Sequence, residues 1–117
     1  MSDSRFQLTI QNAKIESSGD SGDWVSYDVS NTGTENVTEG ALVAKYEALC
    51  GSDSRWSAEE ILAALPAGQA LTVTQRLGEG LEDGDYVVWV TMLDGSDTSP
   101  AFVNLPSKVT GGRFTAT

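Results

Sequence analysis

The chain has 117 residues, a length that suits one hydrophobic core and argues against two. Hydrophobic residues make up 39% of it, so general disorder is excluded and a packed fold is expected. A formal charge of −10 repels nucleic-acid phosphates and anionic lipid, and the absence of any His removes the commonest general base, nucleophile activator and metal ligand together.

Phe6, Leu8 and Ile10 alternate with polar residues, the period of a strand with one buried face. The parity then changes at Ala13 and Ile15, which predicts a β-bulge between the two runs. A Ser/Gly/Asp loop follows from Glu16 to Gly22. Val25, Tyr27 and Val29 form the next alternating set, and it stops at Asn31-Thr32-Gly33, where Asn and Gly supply turn geometry. Within the next loop Asn36-Val37-Thr38 fits a glycosylation triplet, read here as accidental.

Leu42, Ala44, Tyr46 and Ala48 form a third set, closed by Gly51-Ser52-Asp53-Ser54. Residues 58–65 are open between helix and strand, because Ser57-Ala58-Glu59-Glu60 reads as a capping box while the neighbours favour strands. Leu65-Pro66-Ala67-Gly68 predicts a type I turn, and Leu71-Thr72-Val73-Thr74 resumes alternation. Tyr86 to Leu93 is the most apolar run and reads as the central strand. Ala101 to Leu105 gives a last short strand, and residues 106–117 are left as a C-terminal arm or tail outside a 1–105 domain.

Short strands at roughly ten-residue spacing, with glycine-rich turns and no long amphipathic helix, predict an all-β chain. The expected fold is an antiparallel β-sandwich of about seven strands. Cys50 is the sole cysteine, so no intrachain disulfide supports it. The start Met1-Ser2-Asp3-Ser4 has neither the basic nor the apolar region of a secretory signal, so cytoplasmic synthesis is expected, with an extracellular or particle-associated place if the chain is a fragment or an assembly subunit. No run is long enough for a membrane span.

Three stretches, in order, resemble bacterial immunoglobulin-like domains of the CARDB group. They are Val25-Ser26-Tyr27-Asp28-Val29-Ser30-Asn31-Thr32-Gly33, then Leu65-Pro66-Ala67-Gly68 with Leu71-Thr72-Val73-Thr74, then Glu82-Asp83-Gly84-Asp85-Tyr86-Val87-Val88. The resemblance spans about residues 5–105. It implies an immunoglobulin-like sandwich without catalytic residues, acting in adhesion, spacing or assembly.

Two constellations carry functional expectations. In an antiparallel sandwich the loops near 16–23, 50–57 and 78–85 share one end, where Asp20, Asp23, Glu82, Asp83 and Asp85 could offer oxygens to calcium; solvated acidic loops are the plainer reading, and no cofactor is required. The second lies on the central strand. With Tyr86 facing inward, as the resemblance implies, Val87, Trp89, Thr91 and Leu93 face outward beside Val43 and Lys45. A sandwich can bury only one face of such a strand, so Trp89 meets either a partner or the chain's own tail, unless a bulge turns it inward. Val109 and Phe114 of the arm are apolar residues without a place in the sandwich, and they join the candidate interface. The expected function is therefore non-enzymatic: a protein-binding module that forms a homo-oligomer or takes a place in a larger assembly, with calcium or carbohydrate binding at the acidic end as the alternative.

Overall fold

Every alternating run found in the sequence becomes a strand. The structure, a computed structural model, describes residues 6–17, 22–94 and 101–116. Among these the strands are β1 (Leu8–Ser17), β2 (Asp23–Asn31), β3 (Val43–Cys50), β4 (Asp53–Ile61), β5 (Ala70–Arg76), β6 (Gly84–Leu93), β7 (Ala101–Thr110) and β8 (Arg113–Ala116). They form two antiparallel sheets, ordered β1-β2-β5 and β4-β3-β6-β7-β8. The chain is thus an all-β antiparallel sandwich, with eight strands among the described residues where about seven are expected.

Burial follows the two-residue period. Val25, Tyr27 and Val29 of β2 face Ala44, Tyr46 and Ala48 of β3 and Tyr86, Val88, Val90 and Met92 of β6 across a mainly apolar core. At its centre the Tyr27 and Tyr46 hydroxyls lie 2.7 Å apart, and Tyr46 donates to Glu60 Oε1 at 3.0 Å. Since Tyr46 gives its proton to Glu60, Tyr27 is the donor to Tyr46. Burial pushes both phenols far above their ordinary pKa, so the relay stays protonated.

The expected bulge in β1 is present: the pairing with β2 slips between Gln11 and Lys14, and Asn12 takes a left-handed φ of 57°. Residues 53–61 are strand, so the ambiguity at 58–65 resolves against a helix; pairing with β3 through Ala58, Glu59, Glu60 and Ile61 overrides the local capping signal. The turn after Leu65 sits one residue later than the sequence suggested. Gln69 N–H donates to Pro66 O at 3.0 Å and Gly68 has φ 82°, which is the third position of a type II turn.

The largest departure concerns the C-terminal arm. The boundary placed between 105 and 106 falls inside β7, which continues to Thr110 and turns back through Gly111-Gly112 into β8. Pro106 has no N–H to give and lies just before the stretch that β8 pairs, Ser107 to Thr110. Val109 and Phe114 are both 0% exposed and belong to the core.

Asn31 ties the far end of the sandwich together. Its side chain, 1% exposed, donates to Glu35 O at 2.7 Å and Leu65 O at 3.0 Å and accepts from Gly33 N–H at 3.1 Å. The loop after β2 and the turn before β5 therefore share one buried amide. Asn31→Ala would take the partner from Glu35 O and Gly33 N–H, Leu65 O keeping Val37 N–H at 3.0 Å, and is expected to cost about 2–3 kcal/mol, seen as a lower urea midpoint at unchanged slope. A loss under about 0.5 kcal/mol would show that water replaces the amide at no cost.

Candidate functional site

The outer faces of the two sheets differ in kind. On the smaller sheet the outward side chains include Lys14 and Glu16, paired at 2.9 Å, with Asp28 accepting from Asn12 at 2.8 Å and Thr72 at 2.7 Å. Trp24, which the ladder sets between Glu16 and Arg76, is a half-buried aromatic on that otherwise largely polar surface.

The larger sheet presents an apolar outer surface. Because residues opposite each other in an antiparallel ladder share a face, the register places its outward side chains in rows. Ile61, Val43 and Leu93 form one row; Glu59, Lys45, Thr91 and Phe102 the next. Ser57, Glu47, Trp89 and Asn104 follow, and then Leu49, Val87 and Pro106. Trp89 stacks on Phe102 with ring centroids 6.0 Å apart and planes at 16°. Phe102 is 59% exposed and Ile61 72%, the two large hydrophobic residues left in water among those described. Within this face Lys45 lies 3.5 Å from Glu47 and opposite Glu59 in the ladder.

Five sequence-selected residues, Val43, Lys45, Val87, Trp89 and Thr91, are thus neighbours on one outward face. Trp89 is neither turned inward by a bulge nor covered by the C-terminal segment, whose place is at the far side of β7. Val109 and Phe114 are corrected: both point into the core and offer nothing to a partner. Phe102 and Ile61 were missed, since exposure of a hydrophobic residue on a neighbouring strand depends on register, which the local sequence does not fix.

The acidic loops do gather at one end. Gly111 N–H donates to Asp83 at 2.8 Å, Arg55 lies 3.3 Å from Glu82, and Arg113 reaches Asp23, bringing the β1–β2, β3–β4, β5–β6 and β7–β8 connections together. Yet Asp23, Glu82 and Asp83 are each held by a donor. Asp23 is 2% exposed and accepts from Arg113 Nη2 at 2.9 Å, Phe114 N–H at 2.8 Å and Ser17 Oγ at 2.8 Å, so a carboxylate selected as a calcium ligand is instead a structural clamp. Among the described residues no three Asp, Glu or Cys side chains converge as a metal ion would need. Asp20 lies outside the described residues, and Asp85 is exposed opposite Lys108.

No family model matches the chain, and no curated protein matches it. Among the described residues no helix is long and apolar enough to cross a membrane.

The Asp23 clamp has a pH signature. Burial pushes the Asp23 carboxyl pKa up, but the Arg113 guanidinium and the Phe114 and Ser17 donors outweigh it and hold the group below its ordinary value. A depressed folded pKa stabilises the fold above the unfolded value near 4, and that stability is lost as pH falls through the folded value. Arg113→Ala removes the cation and leaves a buried carboxylate. The expected loss at neutral pH is about 2–3 kcal/mol, under the range for fully buried pairs because the guanidinium is partly in water. Thermal melts from pH 7 to 3 should show the variant losing less stability on acidification than the parent; parallel curves would mean that Asp23 does not govern the acid limb.

Proposed function

We propose that the protein is a non-enzymatic sandwich module that binds protein through the outer face of its larger sheet, and that its first partner is a second copy of itself. The observation that carries this reading is the stacked Trp89–Phe102 pair on an outward apolar face flanked by exposed Ile61. Contiguous apolar surface of this kind marks interaction sites, and aromatic residues dominate their energetics.

Charge permits self-association at this face. A chain at −10 repels its copies, but here Lys45 stands beside Glu47 and Glu59 and Lys108 opposite Asp85, so the face carries little net charge to oppose apolar contact. A two-fold arrangement would stack one Trp89–Phe102 platform against the other. From strand spacing and rise, five strands offer roughly 600 Å² per copy. Stable interfaces bury about 800 Å² per partner, so a concentration-dependent dimer is expected. The resemblance to CARDB-type domains, which serve adhesion and assembly, agrees in kind, and the same face could seat the module in a larger assembly.

The test is solution mass against concentration by light scattering. The parent should rise from monomer toward dimer mass, and Trp89→Glu should stay monomeric with an unchanged melting temperature, since the side chain contributes little to the core. A parent that remains monomeric at its solubility limit, or a variant that associates equally well, would overturn the proposal.

A further inference from the structure

The two sheets are unequal, five strands over three, and the excess is handled differently at the two flanks. On one flank β8 packs against β1 and the Asp23 clamp seals the gap. On the other, Gly78 just past β5 closes against the Trp56 ring, where any side chain would clash, and the rest of β4 is less well covered. Its inward residues Trp56, Ala58 and Glu60 stay half-buried, whereas Ala44, Tyr46 and Ala48 of adjacent β3 are fully buried. A cavity of about 350 Å³ opens there between β4 and β5.

We infer that the free edge of β5 accepts an extended peptide of alternating apolar residues with one Lys or Arg among them, bound as a fourth strand of the smaller sheet over the exposed inner side of β4. This site is separate from the outer face of the larger sheet and does not rest on it.

The backbone hydrogen bonds identify which groups of β5 are unpaired. Leu77 N–H donates to Asp23 O at 2.8 Å, Asn31 N–H donates to Gln69 O at 2.9 Å, and the register between these bonds is continuous. In an antiparallel ladder, residues that bond to one neighbour alternate with residues whose N–H and C=O point the other way. Leu71, Val73 and Gln75 therefore bond to β2, while Ala70, Thr72 and Thr74 present their backbone groups to the cavity side. No Lys, Pro or bulge, the usual devices against strand addition, interrupts Ala70 to Gln75.

The chemistry of the occupant follows from the cavity walls. An added strand would place alternate side chains opposite Leu71 and Val73, facing Leu62 and Ala63 from the larger sheet, which suits apolar residues. Glu60 is the one charged residue lining the cavity, and among the described residues its carboxylate holds only the Tyr46 hydroxyl. A Lys or Arg on the inward side of the guest would meet it.

The probe is a capped peptide alternating Thr and Val around a central Lys, with a Glu-centred peptide for comparison, titrated into the full chain and followed by amide NMR. The Lys peptide should shift the Thr72 and Thr74 amides and protect them from hydrogen exchange. Glu60→Gln should weaken it about tenfold, the size of one charge-assisted bond, and the Glu peptide should bind no better than that. Thr74→Pro removes an N–H that β2 does not use and should abolish binding; an N-methylated Lys peptide gives the same test on the unmodified chain. Trp89→Glu should bind the Lys peptide as the parent does, separating this site from self-association. Equal binding of the Lys and Glu peptides, or undiminished binding of the N-methylated one, would sink the proposal.

Discussion

The structure depends on a mismatch of width: a five-stranded sheet must bury its inner face against one of three strands. An apolar inner face left in water forgoes on the order of 25 cal/mol for every Å², so each surplus strand needs a cover or remains a weak edge. At β8 the cover is improvised from the ends of the smaller sheet. Phe114 packs edge-on against Tyr86 at 6.0 Å, and its backbone is tied to Asp23 of β2 and Ser17 of β1. Apolar contact brings the hairpin in, and one buried carboxylate with three donors fixes where it stops. At β4 the cover is partial, Gly78 closing against Trp56 while Ala58 and Glu60 stay half-buried. The inner side of that strand is held by its pairing with β3 and by the Tyr27–Tyr46–Glu60 relay, which gives Glu60 a reason to face inward despite its charge.

A second constraint comes from β6. As a central strand it is paired on both edges, and its inner residues complete the core. Core formation alone asks nothing of its outer residues, yet Val87, Trp89 and Leu93 stand there, and β3, β4 and β7 answer with Val43, Leu49, Ile61, Phe102 and Pro106. The smaller sheet, built from the same kinds of strand, shows Lys14, Asp28 and Thr72 to water. Trp24 is the aromatic exception on that smaller face, whereas the larger sheet gathers its outward apolar residues from four adjacent strands, more than core formation asks of them.

Much of this was legible in the sequence because a strand writes its orientation as a period of two. The parity change between Ile10 and Ala13 located the bulge at Asn12, and the apolar run Tyr86 to Leu93 located the central strand, while which of its two faces is outward came from the resemblance that sets Tyr86 inward. What was hidden depends on partners distant in the chain. Val109 and Phe114 looked homeless because the groups that enclose them, Tyr86 and Asp23, lie far upstream. Asp23 looked like one acid of several because nothing local distinguishes a carboxylate in solvent from one clamped by an arginine ninety residues away. The capping box at Ser57 was a true local preference, overruled by the ladder with β3.

The two candidate surfaces meet on β4. Ile61 is exposed on the outer face of the larger sheet, and Glu60, its neighbour in sequence, lines the cavity on the opposite side. By the same alternation that frees Thr72 and Thr74, the bond from Leu62 N–H to Leu42 O leaves Glu59 and Ile61 with backbone groups directed away from β3. This edge strand therefore has one ladder of hydrogen bonds, a half-covered inner side and an apolar outer residue in water, the conditions under which a strand frays before the centre of its sheet. A guest strand on β5 would cover Ala58 and Glu60 and hold β4 against β3, while the Trp89–Phe102 pair lies on β6 and β7 away from that edge, so the flank can be occupied without altering the face.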